Sequence, residues 1–210
     1  MLYTPAHFAL RQRELAGALM RAHPFATLIT QTAEEPFVTH APLLLDDRTD
    51  PWQLHGHVAR ANPHWQTWRD GDPLFAIFHG GDAYVSPSLY SVRKAVPTWN
   101  YAVVHVRGTI AIKHDSEGKE EVLKALIDTH DAPYREQWNQ LDLAYREGMK
   151  EGIVAFTIAI DRVEAKFKLS QNRPLDDRER VRNAMLAGGD KGRELAAWMQ
   201  RLSADPPDRP

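Results

Sequence analysis

Leu54-His-Gly-His-Val-Ala-Arg-Ala-Asn-Pro-His-Trp65 decides how this chain is read. Trp52 to Val58 reads as a β-strand, with His55 and His57 two residues apart and therefore on one side of it. Ala59 to Arg69 reads as a short helix opened near Asn62-Pro63, because proline is pre-set for the first helical position and asparagine caps well. A core segment has no need of a turn glycine, imidazoles, a fixed cation, an amide and an indole within twelve residues. A site for an aromatic, anionic ligand does. Arg60 can pair a phosphate, Asn62 can donate and accept, the rings can cover a flat heterocycle, and a helix start offers backbone N–H groups to an anion. The plain alternative is a surface turn with an Asn-Pro break.

On either side of this stretch, β-rich runs outnumber helices. Residues 9–22 space Leu10, Leu15, Ala18, Leu19 and Ala22 as a leading helix that ends at His23-Pro24. Phe25–Gln31 and Phe37–Leu45 are strands joined as a hairpin, with Pro42 expected at an edge, a bulge or a ligand-facing position. Pro73–His79 is a further strand, Gly80-Gly81-Asp82 is expected to turn the chain, and Ala83–Val85 is short and extended. Thr98–Lys113 is long enough for a bent strand, in which Gly108 marks a bulge. Ser116–His130 is an amphipathic helix with Ser116 as its cap, and 134–150 reads as irregular with helical turns. Two strands follow, Ile153–Ile160 and Val163–Leu169, then two short helices about Gly188-Gly189 and a Pro-rich tail from Ala204. The fold class is mainly β with peripheral helices, a mostly antiparallel β-barrel. Residues 1–170 are expected to form the main domain, with helix 116–130 inserted, and 171–210 a helical extension with a polar tail.

Composition removes several classes of function. The 210 residues carry 26 Lys+Arg against 28 Asp+Glu, a net charge of −2, so no global basic field attracts nucleic acid. Cysteine is absent, which removes disulfides, thiolate nucleophiles and cysteine-ligated metals. The N-terminus lacks the charged and apolar regions of a signal peptide, and nothing approaches a membrane span. The chain is expected to be cytoplasmic. Walker-type phosphate loops, a dinucleotide glycine fingerprint and a nucleophile-elbow serine are also absent, so no catalytic residue is assigned.

Two more stretches carry directional chemistry. Pro97-Thr-Trp-Asn-Tyr101 offers hydrogen bonds from Thr98 and Asn100 and ring faces from Trp99 and Tyr101, although a half-buried strand alternates in the same way. Lys166-Phe-Lys-Leu-Ser-Gln-Asn-Arg173 is an anion site or a solvated strand end. Ten histidines raise two minor readings. One is a metal held by His55 and His57 with His40, His64 or His79; no carboxylate recurs nearby to complete it, and no metal is assigned. The other is haem ligation by His105 or another histidine.

Taken together, these motifs resemble the PaiB-type family, described as FMN-binding negative transcriptional regulators with a flavin-reductase-like split β-barrel. The resemblance is carried in order by Tyr3–Phe8, Pro24–Leu28, Leu54–Pro63, Phe78–Tyr90, Val96–Tyr101 and Lys166–Pro174. Gly-His-Val-Ala-Arg-Ala-Asn-Pro and Pro-Thr-Trp-Asn-Tyr are long, unusual strings. Two departures are visible: Leu89 where the family tends to have tryptophan, and Ala165 where it tends to have glycine. The resemblance implies a homodimer with FMN at the subunit interface. It places Arg60 and Asn62 at the phosphate, Thr39 and His40 along the flavin ring with His57 adjacent, and Thr98, Trp99 and Asn100 closing the pocket. Lys168, Ser170, Gln171, Asn172 and Arg173 would complete the site from the same or the partner chain. It leaves three outputs open: flavin-dependent redox chemistry or sensing, direct DNA binding through a patch around Lys191–Arg201 with Arg178, Arg180 and Arg182, and haem handling by the same barrel.

Overall fold

A computed structural model describes residues 2–204. Its seven strands are β1 (Ala9–Leu10), β2 (Phe25–Gln31), β3 (Pro36–Asp46), β4 (Gln53–Ala59), β5 (Pro73–Val85), β6 (Thr98–Lys113) and β7 (Ile153–Lys168). Its helices are α1 (Arg13–Ala22), α2 (Ser116–His130), α3 (Tyr134–Gln140), α4 (Leu143–Glu151), α5 (Leu175–Leu186) and α6 (Asp190–Ala204). The hydrogen-bonded order β1-β7-β4-β3-β2-β5-β6 returns on itself, because β6 also pairs with β7. Every pairing whose register is defined is antiparallel. The expected barrel is therefore present, built from seven strands.

Residues group into two compact units, one of Met20–Phe78 and Val106–Val163, the other of residues up to Leu19, His79–His105 and those from Glu164 onward. Within the first, β3 is an interior strand that changes partners at Pro42. Residues 36–42 pair with β2, and Leu43 onward pairs with β4. The sequence puts Pro42 at an edge, a bulge or a ligand-facing position; in the structure its missing N–H is tolerated because it closes one ladder just before the next begins. Gly108 closes the ring of strands: a Cβ there would lie 2.3 Å from the Ala159 carbonyl oxygen, so β6 and β7 approach as only glycine allows. α2 lays Val122 and Leu126 on Leu44 and Ala155. Asp115, not Ser116, caps it, accepting from Gly118 N at 2.7 Å.

The stretch 134–150, which reads as irregular with helical turns, forms two regular helices, α3 and α4. Their apolar periodicity is faint because α3 buries only Trp138, and Asp142 caps α4 through two backbone N–H groups. Glu120 joins the helices, accepting from Trp138 Nε1 at 2.9 Å and facing Lys150 Nζ at 3.3 Å.

In the second unit, β1 pairs with the end of β7 through Ala9–Lys166 and Leu10–Ala165. The leading helix is thus shorter than expected, starting at Arg13 after a 3₁₀ turn at Ala6–Phe8 and this short strand. Gly80 and Gly81 do not turn the chain. They lie inside β5, where a Cβ on Gly81 would stand 2.8 Å from the Lys191 carbonyl, so small residues let α6 approach the strand. Likewise the two expected strands after Gly152 are one, β7, without interruption at Asp161-Arg162. Phe167 meets Trp198 of α6 edge-on at 5.2 Å. The tail beyond Ala204 lies outside the described residues.

Candidate functional site

Asn62 organises the first part of the site. Its Oδ1 accepts from His64 N at 3.0 Å, capping a 3₁₀ turn at Pro63–Thr67, and this fixes its Nδ2 as a donor to Thr39 Oγ1 at 3.1 Å. His64, fully buried, stands between two threonines: Nδ1 is 2.8 Å from Thr39 Oγ1, and Nε2 is 3.0 Å from Thr30 Oγ1. Trp68 Nε1 donates to that same Thr30 hydroxyl at 3.0 Å, while Phe37 stacks on the imidazole at 4.5 Å. Burial pushes the His64 pKa down to about 4, so the ring is neutral at ordinary pH. With both nitrogens committed to hydroxyls, His64 is not available as a third metal ligand. Among the described residues no three His, Asp or Glu side chains gather as a metal site.

Arg60 sits beside this network with a second task. Its Nε donates to Glu151 O at 2.7 Å and its Nη2 to Ile153 O at 3.2 Å, tying the loop to the end of α4. Its guanidinium lies 5.8 Å from the Trp65 ring centre, and Trp65 Nε1 donates back to Arg60 O. Nη1 remains on an exposed side chain for an anion. His40 is exposed, at 3.1 Å from Thr27 Oγ1 and stacked on Phe25 at 6.3 Å. His57 Nδ1 is buried with no hydrogen-bond partner, and burial keeps the ring neutral by lowering its pKa.

The remaining predicted residues gather in the other unit. Lys168 Nζ donates to Thr98 Oγ1 at 2.5 Å, and Asn100 and Ser170, both buried, hydrogen-bond to each other at 3.1 Å. Ser170 has φ +64°, a left-handed conformation that a serine adopts only when its surroundings hold it. Gln171 supplies part of that hold: its Oε1 accepts from Leu169 N at 2.7 Å, and its Nε2 donates to Phe167 O. Gln171 therefore shapes this loop through its backbone, while Asn100 holds the Ser170 side chain. Asn172 is exposed, and Arg173 lies 4.0 Å above the Tyr90 ring. Trp99 is 53% exposed and meets Tyr84 edge-on at 6.0 Å, which leaves a flat apolar face on the surface. Lys166 turns away from any ligand role, donating to Tyr3 O at 3.0 Å. The loop borders a cavity of about 440 Å³ lined by Phe8, Leu10, Phe167, Gln171, Leu175 and Arg178.

Thr30, Phe37 and Trp68 belong to this site without any sequence pattern that marks them, and His64 stands out in the sequence only as a candidate metal ligand. Its usable signal was Asn-Pro-His, which seats an imidazole one residue inside a capped turn. Nothing local announces that Thr30 and Thr39 would face it.

The closed strand order, with its antiparallel pairings, and the peripheral helices define a split barrel of the kind found in flavin-binding proteins. Residues 2–162 match the family model described as "Putative FMN-binding domain", and the chain belongs to that family. It is 33% identical over 175 residues to the protease synthase and sporulation protein PAI 2 of Bacillus subtilis, covering 82% of this chain and 83% of that protein. The resemblance to the PaiB type is thereby borne out, and FMN is the family's cofactor. Solved structures with the same fold include the flavocytochrome Anf3 of Azotobacter vinelandii, at TM-score 0.61 and 19% identity over 82% of this chain and 74% of that one. A second is the FAD and heme binding protein of Mycobacterium smegmatis, at TM-score 0.59 and 19% identity over 86% and 80%.

Proposed function

We propose that this protein is a cytoplasmic, homodimeric flavoprotein in which FMN performs redox chemistry. FMN supplies the electron and hydride transfer, so no catalytic triad is required of the chain. The carrying observation is the network in which Asn62 and the buried His64 of one loop hold the Thr39 hydroxyl of β3, with the exposed Arg60 two residues before Asn62 on that loop. In this reading Arg60 and Asn62 hold the phosphate, Thr39 and His40 follow the ring, and His57 Nδ1 is an orphaned acceptor or donor for it. The resemblance also assigns Thr98, Trp99, Asn100, Lys168, Ser170, Gln171, Asn172 and Arg173 to the flavin, from the same or the partner chain. The flavin domain is read as 1–170, with Gln171 to Arg173 reaching the flavin from the start of the C-terminal extension. The exposed Trp99, Tyr84, Val96 and Leu175 support a subunit interface, since large apolar side chains in water mark contact surfaces.

Direct DNA recognition gains nothing from the basic residues that suggested it. Lys191 pairs with Asp82, Arg193 with Asp190, Arg180 with Asp177, and Arg178 donates to Ser203. Filter binding at increasing salt is expected to show only weak, sequence-independent affinity.

Purification and an absorption spectrum test the central claim. The expected result is a yellow protein that releases FMN on denaturation. Arg60→Ala is expected to weaken FMN about 10- to 100-fold, the worth of one charge-assisted phosphate contact. A colourless protein that ignores added FMN, or an Arg60→Ala variant that folds and binds as tightly as wild type, overturns it. Haemin titration in parallel is expected to give no histidine-dependent Soret shift.

A further inference from the structure

The network around His64 holds more hydrogens than its own bonds use. Asn62 Nδ2 and Trp68 Nε1 can only donate, so each already occupies one acceptor position, on Thr39 and Thr30 respectively. Between the threonines run two bonds, Thr39 to Nδ1 and Nε2 to Thr30. Three hydrogens are available for them: two hydroxyl hydrogens and the single N–H of a neutral ring. One hydrogen is always left over.

The tautomer decides where it goes. With the ring hydrogen on Nδ1, the imidazole donates to Thr39, Thr30 donates to Nε2, and the Thr39 hydroxyl hydrogen points out of the network. With the ring hydrogen on Nε2, Thr39 donates inward to Nδ1 and presents only an acceptor outward, while Thr30 holds the spare hydrogen. Passing from the first to the second moves the Thr30 hydrogen onto Nε2 and the Nδ1 hydrogen onto the Thr39 oxygen. Thr39 gives its outward hydrogen to water, Thr30 takes one from water, and the network stays neutral. Asn62, Trp68 and the stacked Phe37 keep their positions throughout, so the exchange needs no movement of heavy atoms.

We propose that His64 is a positioning residue that lets the Thr39 hydroxyl act as a donor toward oxidised FMN and as an acceptor toward reduced FMN. An oxidised flavin edge offers unprotonated nitrogen and carbonyl acceptors, whereas reduction places a hydrogen on the ring and makes it a donor. A side chain fixed as donor would serve only one of these states. His64 removes that conflict without touching the flavin, and its burial keeps it neutral so that two tautomers of similar shape remain available. This rests on the reading that Thr39 lies along the flavin.

Nitrogen NMR of protein labelled at histidine, bound to FMN and then reduced anaerobically, reads the tautomer directly. His64 is expected as the Nδ1–H form with oxidised FMN and the Nε2–H form with reduced FMN. One unchanged tautomer in both states overturns the inference. His64→Asn, which can replace only the Nδ1 contact, is expected to change the ratio of affinities for the two redox forms about tenfold, a shift of about 30 mV in midpoint potential. Equal weakening of both forms means a purely structural His64 and also overturns it. Thr39→Val separates the two readings. If it folds and leaves FMN binding unchanged, the placement of the flavin falls; if it weakens binding while the wild-type tautomer stays constant, only the role of His64 falls. Should His64→Asn fail to fold, the wild-type spectra still decide.

Discussion

His64 carries a cost in acid that its neighbours set. Its pKa lies at about 4 in the folded protein because burial disfavours the imidazolium, against about 6.5 for a free histidine side chain. Between those values the unfolded chain binds more protons, so stability rises with pH across this window and is lost as pH falls from about 6.5 toward 4. The difference is worth up to about 3 kcal/mol. Urea denaturation from pH 7 to pH 4.5 is expected to show this loss, and His64→Asn to flatten the slope although it lowers stability at pH 7. His57 adds to the same slope, since burial lowers its pKa too. Residue identity in this region was legible before any geometry: Arg60, Asn62 and Thr39 were singled out, and Asn62 does cap its turn. Thr30 and Trp68 were not, because hydrogen bonds between positions 30, 64 and 68 depend on strand register rather than on local pattern.

Elements were legible where one face is apolar and hidden where burial depends on a neighbour. β2 and α2 stand at the bounds their periodicity gave, whereas α3, with one buried tryptophan, left little to read. Glycine shows the same division. Gly80-Gly81 reads as a turn by composition, yet it serves close packing of α6 on β5. Gly108→Ala is expected to destabilise by about 1–3 kcal/mol or more, because its Cβ would meet the Ala159 carbonyl at 2.3 Å, closer than overpacked side chains can relieve. Gly148→Ala, in α4 with nothing within 4 Å, is expected to stabilise by up to about 1 kcal/mol through helix propensity. Parallel thermal melts of the two variants check both signs.

For the whole molecule, the expected mass in solution is twice the 23.9 kDa of one chain, measured by light scattering, and it should persist in high salt because the exposed side chains that support an interface are apolar. A monomer at micromolar concentration would remove the subunit-interface reading while leaving FMN binding to be tested on the single chain. Charge balance, absence of cysteine, strand-rich pattern and the strings around Arg60, Trp99 and Lys168 were determined by the sequence alone, because composition and short-range spacing do not depend on folding. The tertiary structure alone decided that β3 changes partners at Pro42, that Gly108 closes the strand order, and that Gln171 turns onto its own loop. It also decided that a buried histidine links Thr30 to Thr39. Apart from the local Gln171 contacts, each of these joins residues far apart in the chain, and the register of paired strands fixes which of them meet.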